Sequence, residues 1–314
     1  MVRTPICDLF GIEYPIFQGG MAWVSDASLA SAVSNGGGLG IISAMNADGE
    51  YLRGEIRKCR EQTEKPFGVN IMLMSPFADE VAKVVAEEKV PVVTTGAGMP
   101  GKYMKDWLAA GIKIVPVVPS TAIARMVERQ GACAVIAEGG ESGGHIGEIN
   151  TMALVPQICD AVSIPVLAAG GIADGRGVAA AFMLGAVGVQ CGTRFLTANE
   201  CTIHENYKKR VLKAKDIDTI TTGKRLGHPV RSLKNQFSRK FFELEYSDVS
   251  NEEIEKFGAG ALRKAAREGD EVNGCFMAGQ CAALVKDELP AAEIISRMFS
   301  EAEQCLKGAQ QWLK

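Results

Sequence analysis

"PVLAAGGIADGRGVAAAFMLGAVGVQCGTRF", Pro165 to Phe195, reads as a strand, a glycine turn, a helix and a second strand. "PVLAAG" and "GVQCGTRF" are near-continuous apolar runs rather than alternating ones, the pattern of parallel strands covered on both faces. Between them a helix runs from Asp174 to Leu184. A unit of this kind is one step of a β-α-β rhythm, and the fold depends on how often it recurs.

It recurs along the whole upstream chain. "PIFQGG" (15–20) is followed by a helix from Asp26 to Asn35 and by "LGIIS", then by a helix from Asp48 to about Thr63 and "FGVNIM". A helix from Phe77 to Glu88 leads to "PVVTTG", one from Lys102 to Ala110 to "KIVPVV", one from Thr121 to Gln130 to "AVIAEG", and one from Thr151 to Asp160 to "PVLAAG". Eight strands with crossover helices within about 195 residues predict an α/β fold, a closed (β/α)8 TIM barrel. The alternative is an open doubly wound sheet, and "GAGMPG" (Gly96 to Gly101) is a literal G-x-G-x-x-G after a strand. A dinucleotide fold places an acid about twenty residues further on to hold the ribose, and no Asp or Glu lies between Asp106 and Glu128. The match is therefore read as a chance one.

After Phe195 the rhythm stops, and "CTIHENYKKRVLKAKDIDTITTGKRLGHPVRSLKNQF" reads as helical pieces mixed with loop. Residues 196–314 are assigned to an eighth helix, a C-terminal cap or lid region and closing helices. The division expected is a barrel core over 1–200, a basic cap or lid insertion over 201–275, and C-terminal helices returning to the barrel over 276–314.

Length and composition fit a globular protein: 314 residues, 47% apolar, with a net charge of −3. No apolar run reaches the roughly 20 residues that cross a bilayer, and the N-terminus lacks the apolar core of a secretory signal, so the cytoplasm and no membrane insertion are expected. The nine cysteines are scattered and never fall as C-x-x-C, which predicts reduced thiols and no metal site of that kind. The weak net charge argues against a nucleic-acid partner, yet residues 206–240 hold eleven Lys or Arg against two Asp.

In a barrel the chemistry sits at the carboxyl ends of the strands. Glycine stands at nearly every such end: "QGGMA", "TTGAG", "EGGESGGH", "AGGIADG" and "QCGTR". Repeated glycines let backbone approach a flat ligand closely, and phosphate in these barrels is commonly held by the last two loops through N–H groups and a helix N-terminus.

"FQGGMAWV", "VNIM", "AEGGESGGHIGE", "LAAGGIADG" and "QCGTRF", in this order, resemble the flavin-dependent nitronate monooxygenase-like superfamily, and within it the enoyl-acyl carrier protein reductase II branch. The resemblance covers roughly residues 1–240, with a further match in "FMAGQCAALV" (Phe276 to Val285). It implies a barrel holding FMN, reduced by NADH or NADPH, that reduces the 2,3 double bond of an enoyl thioester on acyl carrier protein, and it implies a homodimer. It places the flavin ring against Gly19, Gly20, Met21, Ala22 and Asn70, and the phosphate on Gly170, Gly171, Gln190, Gly192 and Thr193, with Asp174 close by. Gly139, Gly143 and Gly144, together with Met277, Gly279 and Gln280, join the cofactor-binding set.

His145, six residues beyond the sixth strand, is one of three histidines. Hydride delivered to the β-carbon of the substrate leaves negative charge on the thioester oxygen, so His145 is assigned as polariser or general acid. Glu138 and Glu141 are candidates to orient it or, with backbone carbonyls, to bind a monovalent cation. The basic segment, represented by Lys224 and Arg225, is expected to dock the acidic carrier protein. The rivals are a nitronate monooxygenase of the same fold, a tRNA dihydrouridine synthase, whose catalytic cysteine is missing from "VNIMLMSP", and a non-catalytic flavin barrel.

Overall fold

The computed structural model describes residues 2–44 and 47–312. Its first helix, α1 (Pro5–Phe10), ends at Gly11. The barrel then proceeds through β1 (Ile16–Gln18), α2 (Ala27–Asn35), β2 (Gly40–Ser43), α3 (Gly49–Gln62), β3 (Phe67–Met72), α4 (Ala78–Glu87), β4 (Val92–Gly96), α5 (Gly101–Ala109), β5 (Lys113–Val118), α6 (Thr121–Arg129) and β6 (Val135–Glu138). A two-residue strand β7 (Gly144–His145) interrupts the series before α7 (Thr151–Ala161), β8 (Val166–Ala169), α8 (Gly175–Met183) and β9 (Gly188–Cys191).

Eight strands form one parallel sheet in the order β1-β9-β8-β6-β5-β4-β3-β2. A parallel bridge between Phe17 and Leu39 joins its two ends, with Gln18 N–H donating to Leu39 O and Leu39 N–H to Ile16 O. The (β/α)8 barrel expected from the repeating pattern is thus present and nearly closed.

Strand alternation sorts the core into two layers. Ile16, Ile42, Val69, Val93, Ile114, Val135, Ala168 and Val189 face outward and pack with the helices. Phe17, Ile41, Val92, Val115, Ile136 and Leu167 face inward and close the barrel interior against Ile6, Phe10 and Ile12 from α1 and its exit. Two residues on from this apolar layer, the same parity brings Asn70, Thr94, Glu138 and Gln190 inside at the carboxyl ends. The polar mouth therefore follows from the strand register itself.

Beyond β9 the chain forms a short 3-10 helix (Thr193–Thr197), α9 (Glu205–Leu212), β10 (Thr219–Thr222), β11 (Val230–Leu233), α10 (Gln236–Glu245), α11 (Asn251–Gly258) and α12 (Ala261–Arg263), which runs into a π-helical turn (Lys264–Glu268). The hairpin β10–β11 replaces the mixed helix and loop expected from the sequence of this stretch. β11 also pairs antiparallel with β7, matching Val230 with His145 and Arg231 with Gly144. The cap is in this way hydrogen-bonded to the loop after β6.

The last helix, α13 (Ala291–Gly308), packs against α8 and α2 as the eighth helix of the ring. Gly175 permits the approach, since a Cβ there would lie 2.6 Å from Met298 O. The cap is thus an insertion between the eighth barrel strand and its helix.

Candidate active site

The carboxyl ends of the strands, the loop after β6 and the returning segment 277–281 surround a cavity open at its mouth, about 1230 Å³ when the solvent space above it is included. Gly19, Gly20, Met21, Ala22 and Asn70 line one side. Gln190, Gly192 and Thr193 from the neighbouring β9 continue this lining, Gly170 and Gly171 follow from β8, and Glu138, Gly143, Gly144, His145, Met277 and Gly279 complete the wall.

Asn70 is oriented by its neighbours. Its Oδ1 accepts a hydrogen bond from Thr94 Oγ1 at 3.0 Å, which leaves Nδ2 as the donor available to a ligand carbonyl. Gly20 makes room for this side chain: a Cβ there would stand 2.2 Å from Asn70 Cβ. The β1 loop is fixed from outside the barrel by Gln18, which is fully buried, donates to Gly19 O and to Ser25 Oγ, and accepts from Ile41 N–H.

After β8, Gly170 and Gly171 adopt φ of +93° and +79°, left-handed conformations that favour glycine. Beside them Gly192 and Thr193 open the 3-10 helix, whose first N–H groups have no intrahelical acceptor. These amides suit a phosphate. The N-terminus of α8 does not serve this purpose, contrary to the expectation of a helix start in the phosphate site. Asp174 accepts from the N–H groups of Arg176 and Gly177, and Glu301 accepts from Gly175 N–H. Asp174, which also pairs with Arg176, lies outside the cavity wall, and its carboxyl is held below the usual range despite burial because Arg176 and these amides favour the charged form.

The loop after β6 is pinned on both sides. Glu141 Oε2 accepts from Thr151 N–H at 2.6 Å and Thr151 Oγ1 at 2.7 Å, so this carboxylate closes the start of α7 rather than orienting His145. Gly139 packs against the same threonine and is not part of the wall. Gly143 and Gly279 are crossing points: a Cβ on Gly143 would meet Ala278 C at 2.5 Å, and one on Gly279 would meet Glu141 O at 2.7 Å. Gln280 N–H donates to Glu141 O, while the Gln280 side chain is exposed and outside the cavity. Gly279 N–H donates to Thr193 Oγ1 at 2.9 Å, joining the returning segment to the β9 loop.

His145 stands at the mouth, reached by solvent but ringed by protein. This partial burial, together with nearby His228, lowers its pKa from the ordinary value, so the imidazole is neutral at pH 7. Glu138 Oε1 accepts from Ser142 Oγ and is not bonded to His145. Among the described residues no three His, Cys, Asp or Glu side chains gather as for a metal ion.

Several cavity residues escaped the sequence reading. Tyr207, buried in the basic stretch, donates to Met277 O at 2.6 Å and lines the site with Leu262. Cys191 and Cys281 line it too, and burial keeps both thiols protonated, that of Cys281 pushed up to about 11. Cys191 and Cys281 fall within "QCGTRF" and "FMAGQCAALV", whereas no motif marks Tyr207 or Leu262.

The basic stretch is largely occupied with the protein itself. Lys208 binds Ala198 O and Glu288, Arg210 binds Lys234 O, and Arg231 donates to Gly140 O. Arg225 reaches Ser247 O, Val249 O and Asn251, clamping the turn between α10 and α11. Arg225 is surface-exposed like Lys224, but its hydrogen bonds hold the cap together.

A family model described as nitronate monooxygenase matches residues 3–88 and 76–301. This chain belongs to the nitronate monooxygenase family. A structure of FabK from Thermotoga maritima is 50% identical over 100% of both chains, with a TM-score of 0.98. A probable nitronate monooxygenase of Staphylococcus aureus is 33% identical, covering 97% of this chain and 99% of the relative. A (3aS,4S,5R,7aS)-5-hydroxy-7a-methyl-1-oxo-octahydro-1H-indene-4-carboxyl-CoA dehydrogenase of Mycobacterium tuberculosis is 40% identical over 76% of this chain and 68% of its own length. Oxidoreductase chemistry is common to these names.

Proposed function

We propose that this chain is an FMN-dependent enoyl-[acyl-carrier-protein] reductase using NADH or NADPH. The observation that carries the reading is the cavity with a side-chain amide donor, Asn70, and paired glycine amides on its wall, with His145 standing over the mouth. The full-length likeness to FabK supports the reductase branch.

The residues fit FMN. Asn70 Nδ2 would meet the polar edge of the ring, the Met21–Ala22 stretch would bed it, and Gly171, Gly192 and Thr193 would hold the phosphate. When bound and reduced, FMN supplies the hydride for the β-carbon of the enoyl thioester. The chain binds and polarises the substrate, and the proton that completes the α-carbon comes from water at the open mouth of the cavity. A neutral His145 imidazole N–H faces the thioester oxygen, where negative charge develops, and holds it by a hydrogen bond. The β7–β11 pairing fixes the backbone that carries this imidazole, so the cap contributes to its aim.

Carrier docking belongs to the same proposal and rests on the exposed Lys224 rather than on Arg225. The relative from Staphylococcus aureus favours a second reading, nitronate oxidation by the same cavity. Anaerobic half-reactions separate the two. Bleaching of the bound flavin by NADH or NADPH followed by reoxidation with an enoyl thioester supports the reductase, and reoxidation by oxygen alone after reduction by nitronate overturns it.

A further inference from the structure

Glu138 is the one carboxyl among the described residues lining the cavity, and no Lys or Arg lines it. As the last residue of β6 it shares the inward face with Ile136. Ser142 Oγ donates to its Oε1 at 3.2 Å, and among the described residues no other hydrogen bond engages the carboxyl. Other titratable groups near it are His145, Cys191, Tyr207 and Cys281 on the wall, with Glu141 bound to Thr151 and Arg231 bound to Gly140 O. None of these neutralises a carboxylate inside the cavity.

Glu138 is half-buried, its side chain open to the cavity but ringed by protein without a counterion; that environment pushes it up to about 7, with the Ser142 bond acting the other way. In the protonated form Oε1 is already accepting from Ser142, so the proton belongs on Oε2. The side chain lines the cavity, and no hydrogen bond from Oε2 to a protein acceptor is present among the described residues.

We propose that the Glu138 carboxyl donates a hydrogen bond from Oε2 to a neutral acceptor of the ligand seated on the strand ends, a ring nitrogen, carbonyl or hydroxyl oxygen. This assignment rests on the reading of the cavity as a flavin site. It makes flavin binding dependent on pH above neutrality, because ionisation removes the donor and places a negative charge against the acceptor. The sign follows from linkage: the bound state keeps the proton, so affinity is full below the free-state pKa and falls as pH rises through it. The wall's thiols and Tyr207 titrate far higher, and His145 lower.

The test measures riboflavin and FMN binding to the full-length apoprotein by fluorescence quenching between about pH 6.5 and 9. Riboflavin removes the ligand phosphate, whose second pKa near 6 would otherwise intrude. Wild-type affinity for riboflavin should fall by up to about tenfold per pH unit above about 7. Glu138→Gln, which keeps an N–H donor, should bind within a few-fold of wild type at neutral pH and lose that dependence. Ser142→Ala should move the break to higher pH, because it removes a bond that favours the charged form. The infrared carbonyl stretch of a protonated carboxyl should be present in the flavin-loaded wild type and missing from Glu138→Gln. A pH-independent wild type, or a Glu138→Gln protein with the wild-type dependence, overturns the proposal. Failure to bind flavin at any pH instead overturns the flavin reading beneath it.

Discussion

Gly143→Ala tests whether the crossing of the β6 loop with the returning segment builds the cavity. The added Cβ would lie 2.5 Å from Ala278 C and 2.7 Å from Gly279 N, backbone atoms that no rotamer change can move. Gly143 has no positive φ, so the perturbation is steric. Relief requires the two segments to separate, straining the Gln280 N–H to Glu141 O and Gly279 N–H to Thr193 Oγ1 bonds. Overpacking at about 1–3 kcal/mol and weakened hydrogen bonds at about 1 kcal/mol give a loss of about 2–4 kcal/mol. At roughly 2–4 °C per kcal/mol, thermal unfolding should shift down by about 5–15 °C. Both segments line the cavity, so FMN affinity should fall at least about tenfold, or 1.4 kcal/mol. Calorimetry of the apoprotein and a flavin titration read the two effects separately. Wild-type unfolding together with wild-type affinity would refute the argument that this contact shapes the site.

Gly54→Ala serves as its opposite: nothing lies within 4 Å of a Cβ there in the interior of α3, and a gain of about 0.5–1 kcal/mol is expected in denaturant unfolding. His145→Ala should retain bound FMN and its reduction by NADH or NADPH while enoyl reduction drops by about 10²–10³, with partial recovery in His145→Asn, as stopped-flow half-reactions can show. If the neutral imidazole is the working form, enoyl turnover stays level as pH falls from about 8 to 6.5, whereas a general acid would give a rising rate. Lys224→Glu should raise KM for the carrier-bound substrate and spare a CoA thioester; Arg225→Glu should lower thermal stability as well, because it releases the α10–α11 turn.

The barrel was legible because each strand is an apolar run and each helix a separate amphipathic segment, and the closing order follows from chain order. Much of the mouth was legible too, since parity along β3, β6 and β9 places Asn70, Glu138 and Gln190 inside. What the chain could not display were interactions with main-chain atoms. Asp174 and Glu141 stand among glycines as if to serve a ligand, yet both satisfy helix amides. The excess of cations in 206–240 looked like a free surface, but Lys208, Arg210, Arg225 and Arg231 bind carbonyl oxygens, acceptors that every residue carries. β7 is two residues long and begins with glycine, so no side-chain pattern could announce its pairing with β11 or the resulting support of His145. "GAGMPG" was dismissed as a dinucleotide motif; Gly96 and Ala97 line the cavity as an ordinary barrel loop.

The central claim is that the bound flavin passes hydride to an enoyl thioester. A single-turnover experiment tests it: the protein is reduced anaerobically with one equivalent of NADH or NADPH, then mixed with an enoyl thioester on acyl carrier protein. The account predicts return of the oxidised flavin absorbance with stoichiometric saturated acyl product. A flavin that stays reduced in the presence of this substrate, yet reoxidises when air is admitted, would contradict it.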